Sequence, residues 1–138
     1  MDAIDEAQLI VRQVGFDVPA GQKLEVMRGD TVRVNVEFDY RGPAATYTMR
    51  CSIGQTSWLG FDEIAYGLAS IPLEASSDFV GYQAYADIDT SPVAGQPDYD
   101  MEAKIAEYPE TLVRLDNVID ILEGAELRDF RIAGYEKV

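Results

Sequence analysis

Hydrophobic and polar residues alternate along several stretches of the chain, most regularly in the segment TVRVNVEFDY at residues 31–40. Alternation with a period of two is typical of a β-strand that has one face in a core and the other in water. The segment is therefore predicted to be a half-buried strand. Its inward positions are predicted to be Val32, Val34, Val36, Phe38 and Tyr40.

The same alternation recurs in the segments ATYTMRCSI, VGYQAYADI and DYDMEAKI, and weaker strand patterns occur in QLIVRQVGF, KLEV and ASIPLEA. Pro72 moves the last of these toward the edge of a sheet, because proline cannot donate a ladder hydrogen bond. Turn-forming segments such as MRGD, RGPA, EASSD and SPVAGQPD separate the strands. This spacing predicts an all-β fold, an antiparallel two-sheet sandwich of about seven to nine strands.

Residues 110–123 fit either a helix or a strand. Their apolar residues fall at helical spacing, between a proline placed as in a first helical turn and a glycine placed as a helix stop. The run NVIDIL is rich in β-formers and favours a strand. A turn followed by a strand is favoured because the rest of the chain is so uniformly β, and a helix remains the alternative. The residues at helical spacing are Leu112, Leu115, Ile119 and Leu122, flanked by Pro109 and Gly124.

The composition fits one domain with a core of its own. The chain has 138 residues, of which 47 % are hydrophobic, and a chain of this size buries most of its apolar surface without disulfides or metal. Cys51 is the only cysteine, so no internal disulfide can form. It lies at an apolar position of a strand pattern, which predicts a buried and unreactive thiol.

The charge of the chain narrows the range of partners. The 25 acidic and 11 basic side chains give a formal net charge of -14. Such a surface repels phosphate backbones and anionic lipids, so neither nucleic acid nor a membrane is expected as a partner. The opening segment MDAIDEAQLI lacks the basic start and apolar run of a signal peptide, and a soluble product is expected.

The absence of histidine restricts the chemistry that the chain can perform. It removes the usual general base of nucleophilic triads and the common zinc ligand. No glycine-rich segment has the lysine and spacing of a P-loop. The chain is therefore predicted not to be an enzyme. A hydrolase based on a pair of carboxylates remains an alternative, but the acids are too plentiful for any pair to be singled out.

Two segments together carry a resemblance to a known family. The stretch LEVMRGDTVRVNVEFDYRGPAATYTMRCSI and the later AGQPDYDMEAKI resemble immunoglobulin-like sandwich modules of bacterial and archaeal surface proteins, in the style of CARDB and fibronectin type III repeats. The resemblance covers residues 20–108 and has no counterpart for WLGFDEIAYG or for the C-terminal tail. It implies a role as a spacer, an adhesin or an assembly part.

Pairing of two alternating segments predicts a cluster of acids. If residues 80–89 and 98–107 form a hairpin with their apolar faces aligned, four carboxylates crowd one of its ends, where opposed like charges destabilise the pair. Oxygen ligands of this kind suit calcium, although the spacing does not match an EF-hand loop. Splayed strand ends screened by water are the alternative. The proposed ligands are Asp87, Asp89, Asp98 and Asp100, and no other cofactor is expected.

The segment SWLGFDEIAYG suggests a second site, because Trp58, Phe61 and Tyr66 lie close together in a glycine-punctuated stretch. Aromatic rings there can present a flat surface to a sugar or to a partner protein. The favoured interpretation, however, is that Trp58 and Phe61 plug one end of the sandwich, with Tyr66 exposed.

The two chain ends suggest a third site. AQLIVRQVGFD and AELRDFRIAGYE share several residue types in the same order. Residues 1–124 are predicted to be the sandwich domain, and residues 125–138 an extra C-terminal strand or short helix that pairs with a neighbouring subunit. Pairing of this strand within its own domain is the alternative. The tail residues proposed for the contact are Leu127, Phe130, Ile132 and Tyr135.

These observations predict a non-enzymatic structural module that assembles with copies of itself or with other structural subunits. A phage or virus particle, or a cell-surface assembly, is the setting that this prediction favours. The alternative is a β-sandwich module that binds carbohydrate or calcium.

Overall fold

The described chain is built from β-strands. The structure, a computed structural model, describes residues 8–15, 23–124 and 128–138, the first of these ranges as backbone. Among these residues there is no helix that could cross a membrane. The strands are β1 (Gln8–Gly15), β2 (Leu24–Met27), β3 (Thr31–Gly42), β4 (Ala45–Ser57), β5 (Gly60–Leu73), β6 (Ser76–Asp89), β7 (Gln96–Ile105) and β8 (Tyr108–Leu122).

The strands form two sheets. One has three strands in the order β1-β3-β6, and the other has five in the order β2-β8-β7-β4-β5. This confirms the predicted all-β, two-sheet sandwich. The prediction that every pair is antiparallel is wrong for β2, which runs parallel to β8 from Leu24 opposite Ile119 to Met27 opposite Leu122. No hairpin joins these two strands, so the sequence between them does not force an antiparallel pairing.

Alternation along the strands supplies the core, as predicted. The five apolar positions of β3 are each at most 2 % exposed, and the facing sheet contributes Met49, Ile53 and Met101, which are fully buried. Burying a large apolar side chain stabilises a fold by about 1.5–3 kcal/mol. Cys51 lies in the same core, where burial raises the pKa of its thiol to about 12.

Residues 108–122 form strand β8, which confirms the favoured interpretation and excludes the helix. Tyr99 pairs with Ile119 and Met101 pairs with Leu115. An advance of two residues along β7 therefore corresponds to four residues along β8. Asn117, with φ of 55°, lies within this irregularity. The spacing of four residues that imitated a helix is therefore a bulge in a strand.

The predicted hairpin of residues 80–89 with 98–107 does not form. Strand β6 pairs with β3 in the three-stranded sheet, whereas β7 pairs with β4 and β8 in the other sheet. The two strands thus lie in different layers of the sandwich. Apolar faces that meet across a core have the same alternation as those of two paired strands, which is why the pattern alone gave the wrong pairing.

The crossover between the sheets, residues 90–95 from the end of β6 to the start of β7, is fixed by hydrogen bonds and by one apolar side chain. The hydroxyl of Thr90 donates to the carbonyl oxygen of Asp30 (2.7 Å), and Val93 is fully buried. The hydroxyl of Tyr99, at the start of β7, donates to the carbonyl oxygen of Ala94 (2.6 Å). The crossover and the first turn of β7 are therefore one packed unit.

The tail differs from its prediction. Residues 128–138 form neither the predicted strand nor the short helix. Leu127 lies outside the described residues. A strand is stabilised by a hydrogen-bonded neighbour, and residues 128–138 pair with no strand of the described chain.

Replacing Tyr99 by phenylalanine tests the crossover. Tyr99→Phe removes the hydroxyl that donates to Ala94 and leaves that carbonyl oxygen without this partner. The free energy of unfolding, measured by urea denaturation, is expected to fall by about 1–2 kcal/mol. Tyr135→Phe is the matched control, since the Tyr135 side chain is 99 % exposed, and its stability is expected to equal that of the wild type. An unchanged stability of Tyr99→Phe would contradict this role.

Candidate functional site

The hairpin between β4 and β5 carries two exposed apolar side chains at its tip. The strands pair as far as Ser57 opposite Gly60, and Trp58 and Leu59 form the turn. Gly60 has φ of 115°, a backbone conformation that residues with a Cβ atom rarely adopt. Trp58 is 92 % and Leu59 77 % exposed, so the favoured interpretation, in which Trp58 plugs one end of the sandwich, is wrong. Phe61, next along β5, is half-buried.

Asp100 holds the base of this hairpin. It is 6 % exposed and lies on β7 opposite Gly54, at the last residue pair of β7 with β4. Its carboxylate accepts hydrogen bonds from the backbone N–H groups of Thr56 (3.0 Å) and Asn117 (2.8 Å). Burial alone raises the pKa of Asp100, but hydrogen bonds from the side chain of Thr56 and from the backbone of Asn117 and Thr56, with a smaller contribution from Arg114, outweigh it and leave the pKa lowered. Asp100 therefore ties β4 to the β8 bulge.

The other three aspartates proposed as calcium ligands have separate partners. Asp87 on β6 accepts a two-point ion pair from Arg33 (2.9 and 3.1 Å), and Asp89 accepts hydrogen bonds from the backbone and hydroxyl of Ser91 (2.9 and 2.7 Å). Asp98 accepts a hydrogen bond from Lys23. In the part of the chain that the structure describes, no group of three or more Cys, Asp or Glu residues is arranged to hold a metal ion. The geometric basis of the calcium hypothesis, a shared hairpin end, is absent.

A cleft of about 510 Å³ opens on the outer face of the five-stranded sheet. Within it the Arg50 guanidinium forms a two-point ion pair with Glu63 (2.9 and 2.5 Å), and Ser52 donates its hydroxyl to the same carboxylate. The Arg50 guanidinium carbon also lies 3.9 Å from the centre of the Tyr66 ring. The cleft is lined by Arg50, Ser52, Phe61, Glu63, Glu102, Lys104, Ala106 and Leu112.

The pKa values of two carboxylates in this cleft are shifted in opposite directions. The hydrogen bond from Arg50 lowers the pKa of Glu63, whereas burial raises the pKa of Glu102 in spite of the nearby Arg114 and Lys104. Glu63 is already engaged by Arg50 and Ser52. The cleft therefore offers a mixed polar and aromatic surface that suits binding of a polar ligand.

A second opening, of about 530 Å³, lies between β5 and β6, which are edge strands of the two sheets. We call this opening the side groove; it is lined by residues 68–72 and 83–87. At Gly67 the two edges touch, because a Cβ there would lie 2.1 Å from the carbonyl oxygen of Asp87. Beyond Gly67 the edges separate, and the groove floor carries the small side chains of Ala69, Ala84 and Ala86.

The β5 edge lacks the charges that usually protect an edge strand. From Ile64 to Leu73 the chain has no charged residue, and among the described strands β5 pairs on one side only, with β4. Exposed edges invite pairing with another strand unless lysine, proline or a bulge blocks them. Pro72 lies near the end of β5. The edge position predicted from this proline is confirmed, because β5 is the last strand of its sheet in the described chain. The groove itself was not predicted, because it depends on β6 lying in the opposite sheet.

The predicted tail residues lie on an exposed segment. Phe130 is 92 %, Ile132 86 % and Tyr135 99 % exposed. Tyr66, predicted to be exposed, is 51 % exposed on the outer face of β5. The proposed interaction residues therefore occupy two separate places, the β4–β5 hairpin and the tail.

No family model and no curated protein matches the sequence. Among solved structures, the chain is similar to a β-glucosidase from Listeria innocua in complex with isofagomine, with a TM-score of 0.52 and 10 % identity. It is also similar to the same enzyme in complex with glucose, with a TM-score of 0.51 and 9 % identity. These matches cover 88 % and 85 % of this chain but only 17 % and 16 % of the β-glucosidase chains. At this identity the likeness concerns the fold alone.

Asp100→Asn tests the link between β4 and β8. An amide offers one accepting oxygen where the carboxylate offers two, so one of the two backbone N–H groups loses its partner. The free energy of unfolding at neutral pH is expected to fall by about 2–3 kcal/mol, measured by urea denaturation.

The lowered pKa of Asp100 fixes the sign of the pH dependence. Its contribution is present above the ordinary pKa of an aspartate and is lost as the pH falls through the lower pKa of the folded state. The wild type is therefore expected to lose more stability on acidification than Asp100→Asn does. The exposed Asp62→Asn serves as the control, and a stability gap between wild type and Asp100→Asn that stays constant with pH would contradict the assignment.

Proposed function

We propose that this chain is a non-enzymatic assembly module with an immunoglobulin-like sandwich, which associates with copies of itself through its tail and a strand edge. A virus or phage particle, or a cell-surface assembly, is the setting that suits such a module. The observation that carries the proposal is the tail, whose apolar side chains at positions 130, 132 and 135 are between 86 % and 99 % exposed.

Two features of the fold support an immunoglobulin-like assignment. The orders β1-β3-β6 and β2-β8-β7-β4-β5 correspond to the two-sheet arrangement of that fold, with β7 in the place of its strand F. The hydroxyl of Tyr99, near the start of β7, bonds to the carbonyl of Ala94 five residues earlier, as in a tyrosine corner. Modules of this kind serve widely as spacers and assembly parts.

The exposed apolar residues of the tail support a contact between chains. Single exposed apolar residues are normal on protein surfaces, whereas grouped ones mark interaction sites. In the tail, Phe130 and Ile132 alternate with Asp129 and Arg131, a strand-like pattern without a strand partner in the described chain. Pairing with another copy buries these side chains and completes a strand.

The charge of the tail is opposite to that of the rest of the chain. Residues 128–138 carry three basic and two acidic side chains, in a chain whose net charge is -14. Nine acidic residues and no basic one lie between Arg50 and Lys104. A basic tail is therefore attracted to the acidic body of a second copy, and the attraction raises the rate of association.

Substitutions in the tail test the proposal. The double substitution Phe130→Ser with Ile132→Ser removes two exposed apolar side chains of the tail. The variant is expected to be a folded monomer at concentrations where the wild type forms oligomers, as measured by sedimentation velocity over a concentration series.

Trp58→Ser with Leu59→Ser is the matched control, because it removes two apolar side chains of similar exposure at the hairpin tip. This variant is expected to form oligomers like the wild type. A wild type that stays monomeric at every concentration, or a tail variant that assembles as well as the wild type, would contradict the proposal.

A second candidate function is binding of a carbohydrate in the outer-face cleft. It is favoured by the ring of Tyr66, which is 51 % exposed and lies against the cleft residue Arg50, and by Phe61 and Lys104 in the lining of the cleft. An aromatic ring with adjacent polar groups suits a sugar, which has both apolar and hydroxyl-bearing faces.

Glycan-array binding tests this candidate. If the cleft binds glycans, Tyr66→Ala is expected to lose the binding that the wild type has. Tyr85→Ala is the control, since Tyr85 is 53 % exposed and also lies under an arginine, with the Arg33 guanidinium carbon 4.0 Å from its ring, but in the other sheet. Equal loss in both variants, or no binding by the wild type, would remove this candidate.

A further inference from the structure

We infer that the tail of one copy, residues 128–138, docks as an added strand on the β5 edge of a second copy and places its apolar side chains in the side groove. This inference rests on the proposed assembly function and deepens it, because it names the surface that receives the tail.

The β5 edge has the backbone geometry that strand addition needs. In the described part of the chain β5 is the last strand of its sheet, with β4 as its one hydrogen-bonded neighbour, and it is 14 residues long. The tail has 11 described residues, enough to span the stretch of β5 from Leu68 to Leu73, where the two edges have separated. Main-chain hydrogen bonds supply affinity in such pairing, and the pockets for alternate side chains supply specificity.

The other described strands at sheet edges are β1, β2 and β6, and they fit this role less well. β1 has eight residues, fewer than the tail, and its sequence includes the basic residue Arg12. β2 has four residues, which is too short to hold the tail. β6 faces the side groove from the opposite sheet and carries charged residues at its ends, Asp78, Asp87 and Asp89. The charge-free stretch from Ile64 to Leu73 is the part of a described edge that most lacks protection.

The side groove matches the tail in size and chemistry. Its small side chains, Ala69, Ala84 and Ala86, leave a space of about 530 Å³ between the two sheets. Phe130 and Ile132 are two residues apart and therefore point to the same side of an extended tail. Docking along β5 lets both enter the groove, while Arg131 points away from it.

Charge favours the same arrangement. The stretch between Arg50 and Lys104, which contains β5 and β6, has no basic residue, and the tail contributes Arg128, Arg131 and Lys137. These charges lie on exposed segments, where salt screens attraction between them. The association is therefore expected to weaken as the ionic strength rises.

A complementation experiment with two full-length variants tests the inference. Leu68→Lys places a positive charge at the groove, where Leu68 is 54 % exposed, and so blocks the edge while the tail stays intact. Phe130→Ser with Ile132→Ser blocks the tail while the edge stays intact. Each variant alone is expected to be monomeric. An equimolar mixture is expected to form a one-to-one heterodimer, detected by native mass spectrometry, because one intact tail then meets one intact edge.

Leu112→Lys is the matched control for the edge variant. Leu112 is 46 % exposed on β8, an inner strand of the same sheet, so this variant is expected to assemble like the wild type. If Leu68→Lys assembles normally while the tail variant is monomeric, the tail docks elsewhere; this inference is then overturned and the proposed function stands. A mixture without heterodimers also overturns the inference, and a monomeric wild type overturns both.

Cross-linking provides a second and independent measurement. In the full-length variant carrying Leu68→Cys and Ile132→Cys, mild oxidation is expected to join two chains by a disulfide seen on a non-reducing gel. Cys51 does not compete, because it is fully buried and its thiol pKa is raised to about 12. A disulfide that forms within one chain would contradict docking on a second copy, as would the absence of any disulfide in an assembled sample.

Discussion

The fold depends on burying one face of each long strand against the facing sheet. Strands β3, β4 and β7 supply most of the buried large side chains, and their alternation commits the opposite face of each strand to solvent. Shifting a strand by one residue would exchange its two faces, so the same burial that stabilises the core also fixes the register. The remaining features of the molecule lie where this rule ends, at the hairpin tip, at the strand edges and in the tail.

Polar groups inside this frame are kept because backbone groups bind them. Asp100 is the clearest case, since burial of its carboxylate would destabilise the fold without the hydrogen bonds that it accepts from N–H groups of β4 and β8. Asn117 takes a left-handed conformation in the bulge beside Asp100, and its N–H points at the carboxylate. One buried acid thus connects three neighbouring strands of the larger sheet and stabilises the base of the hairpin that exposes Trp58.

The sequence predicted what depends on local pattern and missed what depends on pairing between distant segments. The alternation located β3, β4, β6 and β7, and Pro72 marked an edge. It did not tell whether β6 faces β7 across the core or lies beside it, since both arrangements bury the same residues. The aspartates were consequently grouped at a hairpin end that does not exist. Trp58 was weighed as a core residue because its apolar character gives no information about a position at a turn.

The side groove follows from the same arrangement of sheets. Since β6 belongs to the smaller sheet, neither β6 nor β5 has a hydrogen-bonded neighbour among the described strands on the side where the two meet. The edges touch at Gly67 and then separate. A sandwich closed in this way leaves an edge that water or another strand must satisfy. The tail of the same sequence has strand-like alternation, exposed apolar side chains and a charge opposite to that of the body. In the proposed assembly the open β5 edge of one copy receives the strand-like tail of another, and this pairing needs no residue beyond those that the sequence already has.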